Sequence, residues 1–362
     1  MNCSASGSRW RAWPRSSSGP STPAIRLWLQ DHRVAGEVVM PMTAYLEACL
    51  AAARQHGGEG VHAIENIEVS EAMPLPEGES RVMQVSIDQG EAGTPARVRV
   101  FSRNAARDDG AWVLHATAAV AAVGEGAMAS PAPLAERFGS LPDHSDAEAF
   151  YQRMHQRGID FGAGFRCMKR VRSGAGEAIG EIEFAEGEGA DAAEYLLHPA
   201  LLDACFHASG GATDSLPGTD DGRMYLPVGV DRYQWWQRPS GSLFSHVTVR
   251  GPAVRGDTIV FDIDVQTRDG RPVARLEGLR CRRANREMFR QRIEAKVGEW
   301  LYDVAWRPQP RAAAGGTAGE GIWLILDDGA GRGERPPPRS PSAAARPAAS
   351  GLTRRRPRPP QR

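Results

Sequence analysis

Residues 198–207 read HPALLDACFH, an apolar stretch in which Asp203 and His207 stand four positions apart. Side chains with this spacing share one face of an α-helix. The stretch therefore predicts a mostly apolar helix over about 199–209 that carries a carboxyl group and an imidazole on the same face.

A second informative stretch lies far upstream. Residues 31–41 read DHRVAGEVVMP, so His32 is followed by Gly36 and Pro41. Proline suits the first turn of a helix, and residues 42–55 continue with apolar side chains at helical spacing. The stretch therefore predicts another apolar helix, with His32 shortly before its start.

Strand-like stretches accompany both predicted helices. In the first half, strands are predicted over 61–72, 80–89, 96–103 and 111–122. In the second half, a short helix is predicted over 145–157, and strands near 165–172, 176–185, 223–236, 242–251, 258–267 and 272–283. Each half thus combines a helix with an antiparallel sheet. We predict an α+β double hotdog, in which two tandem units each wrap a curled antiparallel sheet around a helix.

Shifts in composition divide the chain into six predicted segments. They are 1–24 (atypical or disordered), 25–123 (N-terminal hotdog), 124–144 (a linker in which Pro131, Pro133 and Pro142 break any element), 145–290 (C-terminal hotdog), 291–330 (a linker with strand-like stretches) and 331–362 (a disordered basic Pro/Arg-rich tail). We expect the tail to be dispensable, because so few large aliphatic side chains cannot offset the entropy lost on ordering.

Charge and cysteine content exclude several classes of protein. The formal net charge is zero, but nine arginines against one glutamate give residues 331–362 a charge of +8 and leave residues 1–330 at −8. An acidic body argues against nucleic-acid binding. Five cysteines without CxxC spacing fit reduced thiols better than disulfides or a zinc knuckle. With no long apolar span and no secretory signal, we expect a cytoplasmic protein without membrane or nucleic-acid partners.

His32 and Asp203 offer a base and an acid. A positioned imidazole can remove a proton next to a carbonyl group, which contributes on the order of 10²–10⁴-fold to a rate. A carboxyl group in apolar surroundings stays partly protonated and can protonate a leaving hydroxyl, with His207 orienting either group. A β-elimination needs this pairing. We therefore predict that His32 and Asp203, from different halves, converge in one apolar tunnel.

Each candidate also has a purely structural interpretation. His32 could be a surface histidine in a turn after Asp31. Asp203 could form a structural hydrogen bond near a helix N-terminus, and His207 could be a core or surface histidine. Asp203 and His207 could also hold a metal ion with His32 or His198, but no HExxH motif or Cys/His cluster supports this, and we predict no metal site.

A glycine-rich stretch is the third notable feature. Residues 158–165 read GIDFGAGF, and three glycines so close together predict a tight turn. Backbone N–H groups in such a turn could approach a carbonyl oxygen, as in an oxyanion hole. The stretch lacks the GxGxxG spacing of a dinucleotide site.

Together and in this order, the motifs resemble those of polyketide synthase dehydratase domains. His32, Gly36 and Pro41 match the family's HxxxGxxxxP motif, and Asp203 and His207 match its DxxxQ/H motif. Residues 158–165 are similar to GYxYGPxF, and residues 226–227 to the start of LPFxW. The resemblance covers about 25–290. It implies catalytic roles for His32, Asp203 and His207, and substrate contacts from Gly36, Pro41, Gly158, Phe161, Gly162, Phe165, Leu226 and Pro227.

The resemblance also implies an activity and partners. The family dehydrates 3-hydroxyacyl groups to α,β-unsaturated thioesters without a redox cofactor, so none is expected here. The substrate would be tethered by phosphopantetheine to an acyl carrier protein. The expected partners are that carrier, the ketoreductase and ketosynthase domains of a cytoplasmic multienzyme, and a second copy in a homodimer. Residues 300–328 resemble the start of a ketoreductase structural subdomain, which suggests a fragment of a larger synthase with altered ends.

Several positions depart from the family pattern. Ile159 and Phe161 replace two tyrosines, Ala163 replaces a proline, and Val228 and Val230 replace Phe and Trp. Nothing in 1–24 resembles the family's HPLL-like first strand. The missing tyrosines keep open a non-catalytic acyl-binding module. A hotdog cyclase or thioesterase is a further alternative, because a fold does not determine a function.

Overall fold

The computed structural model describes residues 27–284, with gaps at 59, 61–62, 78, 89–93, 106–110, 122–131, 215–223 and 252–255. All described residues lie in the first of two compact units, Met1–Leu301. The predictions for residues 1–24, 291–330 and 331–362 therefore fall outside the described residues.

Helices and strands alternate along this part of the chain. Its helices are α1 (Met42–Gly57), α2 (Leu134–Phe138), α3 (Ala147–Arg157), α4 (Pro199–His207) and α5 (Ser209–Asp214). Its strands are β1 (His32–Val34), β2 (Glu37–Val38), β3 (Ala63–Val69), β4 (Arg81–Asp88), β5 (Arg97–Asn104), β6 (Val113–Val120), β7 (Asp143–Asp146), β8 (Ile159–Phe161), β9 (Met168–Gly174), β10 (Glu177–Ile182), β11 (Met224–Trp235), β12 (Leu243–Val249), β13 (Thr258–Thr267) and β14 (Pro272–Ala284).

One large antiparallel sheet runs through both halves. Its strand order is β4-β5-β6-β3-β11-β14-β13-β12-β10-β9-β7. Helix α1 packs against β3 to β6, and α4 packs against β9, β10, β12 and β13. Each half is thus a helix on an antiparallel sheet, and the predicted double hotdog is confirmed.

The two halves share one core. They meet where β3 pairs with β11, with the buried Ile67 opposite the buried Val230. Helices α1 and α4 also contact each other. The largest cluster of buried side chains includes Leu46 of α1 and Leu202 of α4, so the main core spans both halves.

A second, smaller sheet also joins the halves. It has the order β2-β1-β8, and β1 pairs antiparallel with β8 so that His32 lies opposite Phe161 and Val34 opposite Ile159. These short strands were not among the predicted elements. Their pairing brings the glycine-rich stretch 158–165 next to His32.

The prediction that prolines break every element in the linker 124–144 is wrong, because α2 forms within it and β7 begins there. Pro133 stands at the N-cap of α2, where its missing N–H does not interrupt the helix. The Leu134 N–H donates to Gln266 Oε1 at 3.0 Å. Leu134 and Phe138 are buried with Phe244 in a small cluster of their own. Pro133 thus stands at the start of this helix instead of preventing it.

Two further features concern the described part of the chain. No helix in it combines the length and apolar character needed to cross a membrane. The described cysteines, Cys49, Cys167, Cys205 and Cys281, are all buried free thiols.

Candidate active site

Helix α4 carries two of the candidate side chains. Pro199 occupies its first turn, and His198 caps it by accepting a hydrogen bond from the Ala200 N–H at 3.1 Å. Since the cap is His198, Asp203 is not the helix-end residue that its structural interpretation requires. Asp203 and His207 are both buried, and Asp203 Oδ2 lies 3.0 Å from His207 Nε2.

The spacing of His32, Gly36 and Pro41 follows from a tight hairpin. Gly36 has φ of +91° in the turn between β1 and β2, a conformation that favours glycine. The turn reverses the chain, so that the Val39 N–H donates to His32 O at 3.1 Å. Pro41 then stands at the N-cap of α1. The motif thus places a histidine beside the start of a buried helix.

The hairpin also orients the imidazole of His32. Its Nδ1 lies 2.9 Å from Val39 O. A carbonyl oxygen only accepts hydrogen bonds, so Nδ1 carries the hydrogen of the neutral ring and Nε2 keeps its lone pair. The Phe161 and Phe165 rings pack against the imidazole at centroid distances of 5.8 and 5.3 Å.

One cavity of about 540 Å³ contains all three candidate catalytic residues. His32 comes from the first half, and Asp203 and His207 come from the second. Most of the other side chains that line the cavity are apolar, for example Met42 and Phe206. The prediction that His32 and Asp203 share one apolar cavity is confirmed.

The surroundings keep His32 neutral. Burial lowers the pKa of His32 below its ordinary value of 6.5, and the nearby Asp203 carboxylate opposes this shift. His207 lowers the pKa further. The imidazole is therefore available as a base at neutral pH.

Phe161 packs on both histidines of the site. Its ring centroid lies 5.8 Å from that of His32 and 4.3 Å from that of His207. Phe161 comes from β8, which pairs with β1 and also contacts α3. An aromatic side chain without a hydroxyl therefore packs on both histidines of the cavity.

The predicted substrate contacts divide into two groups. Those that line the cavity are Pro41, Phe161, Leu226 and Pro227. Those outside its lining are Gly36, Gly158, Gly162 and Phe165. The second group shapes the site indirectly, because Phe165 touches the His32 ring and the Gly158 carbonyl accepts a hydrogen bond from the Ala35 N–H at 2.7 Å.

The expectation of an oxyanion hole at the three glycines is wrong. The Gly158 N–H donates to His155 O at 2.9 Å. The Gly162 N–H donates to Asp31 O, and the Gly164 N–H to Asp31 Oδ2, each at 2.8 Å. All three N–H groups are bound within the protein, so they stabilise the turn and do not face a ligand.

Sequence reasoning missed Tyr151 on α3. Its hydroxyl accepts a hydrogen bond from the Met168 N–H at 3.0 Å and lies 3.5 Å from His207 Nδ1. Burial raises the pKa of this hydroxyl, so it stays protonated. A lone tyrosine in a predicted helix gives no signal of its own. The residues that the structure describes contain no group of three His, Cys, Asp or Glu side chains arranged to hold a metal.

Two family profiles match this chain over most of the described region. One, described as the polyketide synthase dehydratase N-terminal domain, matches residues 129–291. The other, described as the polyketide synthase dehydratase domain, matches residues 18–103. The chain belongs to the polyketide synthase dehydratase family.

Solved structures and curated relatives agree with this assignment. The dehydratase domain from the CurF module of curacin polyketide synthase is 26% identical, with a TM-score of 0.63, over 71% of this chain and 89% of that one. Polyketide synthase GfsA of Streptomyces halstedii is 31% identical over 320 residues, or 87% of this chain. Mycoketide-CoA synthase of Mycobacterium tuberculosis is 26% identical over 300 residues, or 82% of this chain.

The dehydratase domain is small beside these relatives. The matched region is 4% of the length of GfsA and 7% of the length of mycoketide-CoA synthase. It is close to the whole of the CurF dehydratase chain.

Proposed function

We propose that this domain eliminates water from 3-hydroxyacyl thioesters to give α,β-unsaturated thioesters during polyketide synthesis. The observation that carries the proposal is the cavity shared by His32 of the first half and Asp203 of the second. A neutral imidazole and a buried carboxyl group on one apolar cavity are the groups that an elimination requires.

His32 acts as the base. Its Nε2 takes the proton from the carbon next to the thioester carbonyl, and the electrons of that C–H bond form the new double bond. Because Nδ1 is bonded to Val39 O, the imidazolium that forms is stabilised in place.

Asp203 acts as the acid. Its carboxyl proton is transferred to the 3-hydroxyl group as the C–O bond breaks, and water leaves. His207 Nε2, 3.0 Å from Asp203 Oδ2, orients the carboxyl group and can return a proton to it.

We further propose that the substrate is carried by the phosphopantetheine arm of an acyl carrier protein. Arg157, Arg282 and Arg283 are among the cavity-lining residues, and Arg282 is exposed. Guanidinium groups in the lining of an apolar cavity, one of them exposed, suit a phosphate-bearing arm whose acyl chain lies inside. The other domains of a synthase, including ketoreductase and ketosynthase, and a homodimer remain expected partners.

A non-catalytic acyl-binding module is the second candidate. It is favoured by the loss of the two motif tyrosines at Ile159 and Phe161. The Tyr151 hydroxyl near His207 weighs against it, because a hydroxyl is still present beside the acid.

One experiment separates the two candidates. The protein is incubated with an N-acetylcysteamine thioester of a 3-hydroxy acid, and with the same acyl group on an acyl carrier protein, and mass spectrometry follows the loss of water. The proposal predicts water loss in the wild type and none in Asp203→Asn. Binding of the acylated carrier without water loss would establish the non-catalytic module.

A further inference from the structure

Asp31 connects the two halves immediately before the base. Its backbone carbonyl accepts a hydrogen bond from the Gly162 N–H, and its carboxylate Oδ2 accepts one from the Gly164 N–H, both at 2.8 Å. Asp31 precedes His32, whereas both glycines belong to the turn after β8 of the second half. Two hydrogen bonds from one residue thus fasten this turn to the chain that carries His32.

The fit between Asp31 and Gly162 excludes any side chain at 162. Gly162 has φ of −80°, so its backbone does not itself require glycine. A Cβ placed there would overlap the Asp31 carboxylate and lie 2.8 Å from Asp31 Cβ. The glycine is therefore needed because the Asp31 side chain occupies that space.

The turn at 162–164 lies between two aromatic side chains of the site. Its neighbours Phe161 and Phe165 both pack on His32, and Phe161 also packs on His207. The ladder between β1 and β8 contains three residue pairs. So short a ladder gains much of its rigidity from the bonds at its end, which Asp31 provides.

We propose that Asp31 is a positioning residue, whose two hydrogen bonds to residues 162–164 hold His32 at its working distance from Asp203 across the junction of the halves. Asp31 is not among the residues that line the cavity. The inference rests on the proposed function, because its consequence is the rate of dehydration.

The first test compares Asp31→Ala with Asp31→Asn in the full chain. Asp31→Ala lowers kcat by about 10- to 100-fold, since misplacing a catalytic group by about 1 Å has an effect of this order. KM changes less than kcat, because the substrate contacts remain. Asn keeps an oxygen that accepts from the Gly164 N–H, so Asp31→Asn recovers most of the rate. Equal losses of kcat in both variants would overturn the proposal.

The second test uses Gly162. Gly162→Ala lowers kcat in the wild-type background but has a much smaller effect in an Asp31→Gly background, where the overlapping side chain is gone. Gly139→Ala is the matched control, because Gly139 has φ of −69° and no atom within 4 Å of its added Cβ. Additive effects of the two substitutions would overturn the proposed coupling.

Hydrogen–deuterium exchange keeps this inference separate from the proposed function. Peptides covering 159–166 exchange faster in Asp31→Ala than in the wild type or Asp31→Asn, whether or not the protein dehydrates any substrate. A wild type without activity refutes the proposed function, and with it the positioning role, while the exchange result still shows whether the contact exists. An active wild type with unchanged exchange and unchanged kcat in Asp31→Ala refutes the Asp31 proposal alone.

Discussion

The imidazole of His32 combines two properties that a base needs. The bond from Nδ1 to Val39 O selects the tautomer with a lone pair on Nε2, and burial keeps the ring neutral. Neither property depends on the missing motif tyrosines. Chemistry at this residue is therefore compatible with Phe161 as its neighbour.

Replacing His32 by alanine tests its role as the base. We expect His32→Ala to lower kcat/KM by about 100-fold or more, because general base catalysis contributes at least this much. The free energy of unfolding should fall by only about 1 kcal/mol, the order of one hydrogen bond. Steady-state kinetics and urea unfolding give the two values. His56→Ala, at an exposed histidine of α1, is the control, and unfolding of His32→Ala would mean a structural role instead.

The pKa of His32 predicts the acid limb of the pH profile. A base must be unprotonated to act, so kcat/KM falls as pH drops through the pKa of the free enzyme's imidazole. Since burial lowers this pKa below 6.5, the acid limb should lie below pH 6.5. Measuring kcat/KM from pH 5 to 8 locates this acid limb. An acid limb above 6.5 would contradict a lowered pKa for His32.

At the scale of elements, α1 contains a buried carboxyl group that bridges the halves. Glu47 Oε1 accepts a hydrogen bond from the Leu196 N–H at 2.8 Å, and Oε2 accepts one from the Leu197 N–H at 3.3 Å. These two residues lead into α4. Burial outweighs both hydrogen bonds and raises the pKa of Glu47 to about 7.

The raised pKa of Glu47 predicts a pH-dependent stability. The folded-state pKa of Glu47 lies above the ordinary value of 4.5. The stability that the protonated Glu47 contributes is therefore complete below pH 4.5 and is lost as pH rises through about 7. From pH 4.5 to 8, the free energy of unfolding of the wild type should fall by up to about 3 kcal/mol relative to that of Glu47→Gln. Urea unfolding at several pH values measures it.

A matched control for Glu47 is the exposed Glu37 of β2. Glu37→Gln should leave the pH dependence of the wild type unchanged. If the difference between wild type and Glu47→Gln is constant with pH, the pKa of Glu47 is not raised in the folded protein.

At the scale of the whole molecule, shared burial and not surface charge joins the halves. Arg280 of β14 pairs with Glu68 of β3 at 2.6 Å across the junction. Partly exposed ion pairs of this kind contribute at most about 1 kcal/mol. The common core beneath them, which includes Ile67 and Leu276, contributes far more.

A shared core predicts cooperative unfolding. Ile67→Ala in the first half and Leu276→Ala in the second should each lower the free energy of unfolding by about 2–5 kcal/mol and shift the same single transition. Calorimetry on both variants tests this. Val82→Ala, at a side chain 37% exposed, should shift it little. Two transitions, only one of which moves in each variant, would show that the halves unfold separately.

The local sequence pattern was enough to predict α1, α4 and most strands, because helical and strand periodicity depends on residues close together in the chain. It also singled out His32, Asp203 and His207. The pairing of β1 with β8, the hydrogen bonds that Asp31 accepts from residues 162 and 164, and the place of Tyr151 beside His207 depend on tertiary packing. These contacts join segments far apart in the chain. Their energy depends on packing between those segments, which the spacing of neighbouring residues does not predict.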